Sequence, residues 1–358
     1  MNLFSARPQS NSFGRAQLPL SRNVLRTPVL KTWRITLLGL ILVGAFGAGA
    51  LPGEPDSPRA ERKSLEYLVR EVPQWSKANR CYSCHNNGDA ARALYAVIRL
   101  PGSIKKETLV DSLADTTTWL SKPENWDHNG GEGPFSDKVL ARIQFSSTLA
   151  AARTAGLVTD HVILTRAAEL LARDQAADGS WPVEGAADAI GSPASYGQGL
   201  ATVSARDSLQ SLDSKVFDKN VAKADRWLLN RPVENVLDAS VALLAASERK
   251  GPEWLPLRER ALKILREGQS TDGGWGPFVR ASPEPFDTAL AILALCKIEL
   301  GDSVISDMIK RGRNYLIACR LDDGSWRETT RPAGAESYAQ RLSTTGWAAL
   351  ALQISSAR

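Results

Sequence analysis

Downstream of residue 61, apolar positions recur at helical spacing in two alternating kinds of segment. Segments such as 62–72, 107–120 and 220–229 are rich in charge and carry a single apolar stripe. Each is followed by a segment that is apolar or small nearly all round, as at 90–100, 139–154, 235–247, 286–298 and 344–354. A helix of the first kind keeps one side in water, and a helix of the second kind is buried on every side. The alternation predicts six helical hairpins, each an outer helix followed by an inner one. Six inner and six outer helices make an all-α fold, an (α/α)6 toroid over residues 62–358.

Three of the outer segments end alike. Arg166 to Gln175 is followed by Asp178-Gly179-Ser180-Trp181, and Arg260 to Gln269 by Asp272-Gly273-Gly274-Trp275. Gly312 to Arg320 is followed by Asp323-Gly324-Ser325-Trp326. In each, Asp-Gly stops the helix and the Trp falls six residues after Gln175, Gln269 or Arg320. Such self-similarity at a period of roughly 50 residues is the mark of a repeat architecture. Trp181, Trp275 and Trp326 are expected to plug their loops against helix ends.

These segments resemble the QW repeats of squalene–hopene cyclases and the related protein prenyltransferases, over roughly Ser64 to Ser355. The resemblance implies an (α/α)6 barrel and an isoprenoid substrate. It does not carry over the catalytic groups. The cyclase signature D-x-D-D-T-A is matched by Glu284-Pro285-Phe286-Asp287-Thr288-Ala289, with Phe286 where the proton-donating Asp stands. Asp287 reads as a carboxylate favoured by a helix N-terminus. Cyclases also use two such domains, and this chain has one. The prenyltransferase zinc set of Asp, Cys and His is not matched either: Cys296 reads as a small core residue, and residues 336–346 contain no His. No catalytic residue is assigned.

Charge divides the chain. Residues 1–50 hold no Asp or Glu but six cations, Arg7, Arg15, Arg22, Arg26, Lys31 and Arg34. Taking those six from the formal net charge of +5 leaves the rest at −1, which removes the electrostatic basis for nucleic-acid binding. The apolar run 35–51 follows the cations and ends in Ala48-Gly49-Ala50, a small-residue cleavage pattern. Residues 1–50 therefore read as a basic leader with a signal peptide or uncleaved signal anchor, and 51–61, with four Pro or Gly, as a linker. The body is expected outside the cytoplasmic membrane, periplasmic or anchored facing the periplasm.

In the first hairpin, the loop position that holds Asp-Gly-x-Trp elsewhere holds Cys81-Tyr82-Ser83-Cys84-His85 instead. This C-x-x-C-H run is the arrangement that carries c-type haem. If the run forms one helical turn, Cys81 and Cys84 share a face with His85, which would be the axial iron ligand. Asn87-Gly88 is expected to break the turn and Asp89 to cap the helix that follows. Two other readings stay open, a Cys81–Cys84 disulfide and a structural zinc site. Of the other histidines, His128 sits in the loop of the second hairpin, at the same mouth, and His161 at the far one. His128 is the better second axial ligand, or the fourth member of a Cys81/Cys84/His85/His128 metal site. The function classes that follow are a haem-carrying toroid with a redox partner, a terpenoid cyclase-like or prenyltransferase-like enzyme, and a silent toroid that binds a partner protein or an apolar lipid.

Overall fold

The computed structural model describes residues 57–100, 104–128, 137–183, 190–213, 215–247, 249, 251–298, 301–331, 334 and 337–357. The basic leader and the run 35–51 lie outside these. Among the described residues no helix is long and apolar enough to cross a membrane.

Among the described residues six outer helices alternate with six inner ones. The outer set is α1 (Ser57–Asn79), α3 (Lys106–Leu120), α5 (His161–Arg173), α7 (Asp218–Asn230), α9 (Leu255–Gly268) and α11 (Ser303–Cys319). The inner set is α2 (Ala91–Val97), α4 (Lys138–Thr154), α6 (Gly197–Asp213), α8 (Val236–Ala246), α10 (Pro285–Leu295) and α12 (Tyr338–Ser356). A π-helical segment, Cys84–Ala90, leads into α2. Helix α1 begins at Ser57, inside the stretch expected to be linker, and runs through Pro73 to Asn79. Proline removes one backbone donor, and the amphipathic packing of α1 carries the helix past it.

Capping fixes where several helices begin. Asp137, Asp160, Asn235, Asp302 and Ser337 each accept a hydrogen bond from a first-turn amide of α4, α5, α8, α11 and α12 respectively. The inner helices then pack in sequence, α4 on α6, α6 on α8, α8 on α10 and α10 on α12. Helix α12 returns to the π-helical segment and α2, which meet α4 on their other side. The inner ring is closed. Arg313 of α11 locks the closure, donating to the Leu352 carbonyl and Ser355 of α12, and to Ser57 and Glu61 of α1.

The repeated loops show why their residues recur. Trp181, Trp275 and Trp326 are all fully buried. Each donates its indole N–H to a carbonyl near the end of its own outer helix, Leu171, Leu265 or Leu316, at 2.7–2.8 Å. Each backbone amide goes to a threonine of the following inner helix, Thr202, Thr288 or Thr345. The expected plugging role is what the structure displays. The amides of Gln175 and Gln269 reach forward to carbonyls of Asn220 and Met308 on the next outer helix. The glycines do the same by close approach. A Cβ on Gly179 would lie 2.4 Å from the Lys223 carbonyl oxygen, one on Gly273 2.5 Å from that of Arg311, and one on Gly324 2.3 Å from that of Lys63. The first two contacts join adjacent hairpins, and the third joins the sixth hairpin to the first.

Candidate functional site

The segment expected to hold a cofactor is a polar knot. Ser83 is extended (φ −113°, ψ 135°) and accepts from the His85 amide, so the helix starts at Cys84. Cys81 therefore precedes the helix and does not share a helical turn with Cys84 and His85. Nor do Asn87-Gly88 break the turn: the π-helix runs through them, and Asp89 is an interior residue instead of a cap. Tertiary hydrogen bonds hold this wide turn open. Asn86 donates to the Glu71 carbonyl and to Tyr338, both at 3.0 Å. Asn87 donates to Thr116 at 2.8 Å, and the Gly88 carbonyl accepts from Thr148 at 2.9 Å. Asp89 accepts from Tyr196 and from Gln144. Five consecutive residues, beginning with His85 on Ser343, reach α12, α1, α3, α4 and the loop before α6. Local π-helical turns are often found at functional sites.

The chemistry of Cys81, Cys84 and His85 follows from that packing. The Cys81 sulfur accepts from the Trp75 indole at 3.2 Å. Burial, with the charge of Asp89 added, pushes the Cys84 thiol up to about 12, and burial lowers the His85 imidazole against the opposing pull of Asp89. Both groups are neutral near pH 7. One contact suits a haem: His85 Nδ1 lies 2.7 Å from Ser343 Oγ, which leaves Nε2 as the nitrogen for iron. The rest fits a porphyrin less well as packed: Cys84 and His85 are half-buried, Cys81 is buried, and the two thiols leave different local structures, Cys81 ahead of the helix and Cys84 in its first turn. His128 is exposed, its amide held by the Asn125 carbonyl, and His161 is exposed in the first turn of α5. Among the described residues no three His, Cys, Asp or Glu side chains come together as a metal site. Cys81, Cys84, His85 and His128 are thus not assembled as ligands. All four cysteines are free thiols, so the disulfide reading is not met either.

The residues matching the cyclase signature form a second buried cluster, at the start of α10. Phe286 is fully buried and sets its ring edge-on to Trp347 at 5.7 Å. Asp287 is also buried, and its carboxyl is met by the Arg331 guanidinium, which in addition binds Glu284 at 3.1 Å and the Gly191 carbonyl. Burial raises the Asp287 carboxyl, Arg331 pulls it down, and Glu284 adds to the rise. The partner of Asp287 is therefore a guanidinium from the sixth hairpin, which no local reading of the helix start could supply.

The barrel reading also implies a cavity inside the ring. A cavity of about 520 Å3 lies in the lumen, lined by side chains of all six inner helices. Its walls include Ser147 and Ser208, which hydrogen-bond to each other, together with Leu200, Leu293, Leu350 and Ile354. It reaches Thr154, Lys297 and Ile354, near the C-terminal ends of α4, α10 and α12, so it lies toward the opposite mouth from the signature residues. Its inner end is closed by Trp347 and Arg92. Tyr196 and Phe286 flank Trp347, each edge-on at 5.7 Å. Arg92 lies over the indole face, 3.9 Å from its centroid, with the Asp89 carboxylate a further contact at 3.9 Å. A lone arginine in the small-residue run Ala90-Ala91-Arg92-Ala93 was the available sequence signal.

No family model matches the chain, and no curated protein matches it. Solved structures do. A crystal structure of a protein from Actinoplanes aligns with a TM-score of 0.58 at 18% identity, covering 84% of this chain and all of that one. The type II terpene cyclase MstE from Scytonema aligns with a TM-score of 0.54 at 12% identity as a variant holding merosterolic acid A, its product, covering 83% and 97%. A second MstE variant, holding geranylgeranyl dihydroxybenzoate, its substrate, gives 0.52 at 12% identity, covering 84% and 99%. What the chain shares with these proteins is its fold, the α/α toroid of type II terpene cyclases.

Proposed function

We propose that the toroid binds an apolar small molecule, of isoprenoid or similar lipid character, in its lumen and does not cyclise it. The carrying observation is the cavity, whose size falls within the usual range of small-molecule sites and whose exposed wall is mainly apolar, with serines, Asp207 and two cations among its lining residues. The similar MstE structures, which hold a geranylgeranyl compound and a cyclised product, support a lumen of this kind as a place for such molecules. Phe286 argues against protonation of an alkene, since it has no proton to give. The test is equilibrium binding of farnesol to the wild-type chain and to Leu293→Trp, which fills the cavity wall. Binding that the substitution abolishes supports the reading. Binding unaffected by it, or none at all, refutes it.

A second reading keeps the c-type haem, on the strength of the His85–Ser343 contact that leaves Nε2 for iron. It requires the loop around Cys81 to be loaded before the first hairpin packs. Protein made with the c-type maturation machinery would show a covalent haem spectrum, and His128→Ala would shift it to high spin if His128 is the second ligand. A colourless product ends this reading.

A further inference from the structure

The floor of the lumen cavity carries a cation without an adequate partner. Arg92 Nε and Nη2 are buried and donate to no acceptor among the described residues. The nearest anion, Asp89, is 3.9 Å away and already receives hydrogen bonds from Tyr196 and Gln144. A buried guanidinium with unmade hydrogen bonds is costly, and charged donors are the most costly to leave unmade. The arrangement is nonetheless held in place. The Arg92 Cζ lies over the Trp347 indole face, 3.9 Å from its centroid, a cation–π contact that fixes the guanidinium against the ring. Two other arginines of comparable or greater burial are matched by carboxylates. Arg142 pairs with Asp127 and Asp174, and Arg206 with Asp207 and Asp225.

We propose that Arg92 is the headgroup site of the lumen, and that the ligand is an amphiphilic monocarboxylate, its acid on Arg92 and its apolar chain running toward the open mouth. This rests on the reading of the lumen as an apolar site and names the class of molecule it takes. A carboxylate matches the planar fork of a guanidinium, and the hydrogen bonds so formed are charge-assisted. The field of Asp89 beside Arg92 favours a single negative charge over a phosphate dianion or a diphosphate. The other cation lining the cavity, Lys297, is near the far end of α10, so it does not add to the charge at the floor. From Trp347 to Ile354 helix α12 rises about 10 Å, at about 1.5 Å per residue, which sets the span along which a chain would lie.

The experiment compares farnesoate with farnesol, which share one chain and differ at the headgroup, and adds farnesyl monophosphate. Affinities are measured on wild type, Arg92→Gln and Arg92→Lys, with Leu293→Trp as the control for the lumen. Wild type should prefer farnesoate to farnesol by tenfold or more and should bind the monophosphate more weakly than the acid. In Arg92→Gln the preference for the acid should fall to within about twofold, while farnesol binding persists. Arg92→Lys should keep part of it. Because each variant is judged by a ratio of two ligands, partial loss of folded protein cancels. Equal binding of acid and alcohol by wild type overturns the headgroup assignment and leaves the lumen reading standing, as does a preference that survives in Arg92→Gln. Tighter binding of the monophosphate overturns the monocarboxylate class. Binding of neither farnesol nor farnesoate, or binding indifferent to Leu293→Trp, refutes the lumen reading and the headgroup with it.

Discussion

Replacing Gly324 by alanine tests how the ring is closed. Gly324 has φ +98°, a backbone conformation that a side chain strains against, and its Cβ would come 2.3 Å from the Lys63 carbonyl oxygen of α1. Gly156 gives a matched control, since it too has a positive φ, +79°, yet a Cβ there would meet nothing within 4 Å. Backbone strain alone costs roughly 1–2 kcal/mol for an L-residue in such a region, and that is the expected loss for Gly156→Ala. At Gly324 the added carbon must also push the sixth hairpin away from the first. A carbon at 2.3 Å from a backbone oxygen cannot be relieved by a rotamer change, and the shift would disturb the buried Trp326 beside it. Overpacking of this kind adds about 1–3 kcal/mol, giving a total of about 2–5 kcal/mol for Gly324→Ala. Urea unfolding followed by circular dichroism measures both variants. Equal destabilisation of the two would refute the claim that the glycine serves the contact between hairpins.

Two further outcomes are expected. The Asp287 carboxyl is raised by burial, so between its ordinary value of 3.8 and about 7 the unfolded chain ionises while the folded chain holds the proton. This group's contribution to stability is therefore greatest at low pH and is lost as pH rises through that window. Asp287→Asn removes the dependence, and its stability relative to wild type should improve from pH 4 to pH 7; parallel pH profiles would contradict this. Export, the expectation set by the cations of residues 1–34 and the apolar run after them, predicts that a periplasm-dependent reporter fused after residue 60 is active. Activity of a cytoplasm-dependent reporter at the same junction would overturn it.

The architecture was legible in the sequence because it repeats. The Asp-Gly pairs and the three tryptophans each do one job three times, Gln175 and Gln269 do one job twice, and the alternation of charged and small-residue segments separated the two rings without reference to contacts. The site was less legible, for a physical reason. The run from Cys81 to Asp89 reads as a local motif, yet its shape is set by Ser343, Tyr338, Thr116, Thr148 and Tyr196, all distant in sequence. Asp287 looked like an ordinary helix-start carboxylate because Arg331 is 44 residues away. The cavity depends on small and aliphatic side chains from six helices converging, and no one of them is unusual in its own segment. Arg92 carries a local signal that was not used, a charge among the small and apolar residues of its segment.

A closed ring has an order of assembly. The π-helical turn is made early in synthesis, but His85 and Asn86 depend on Ser343 and Tyr338, which belong to the last hairpin. At about 5–20 residues per second, tens of seconds separate the two during translation. For that interval the nascent first hairpin has one unsatisfied flank, with His85 and Asn86 lacking the partners that hold them in the finished ring. The π-helical turn is therefore complete only once Arg313 draws the two ends of the ring together, so the first hairpin takes its final form last.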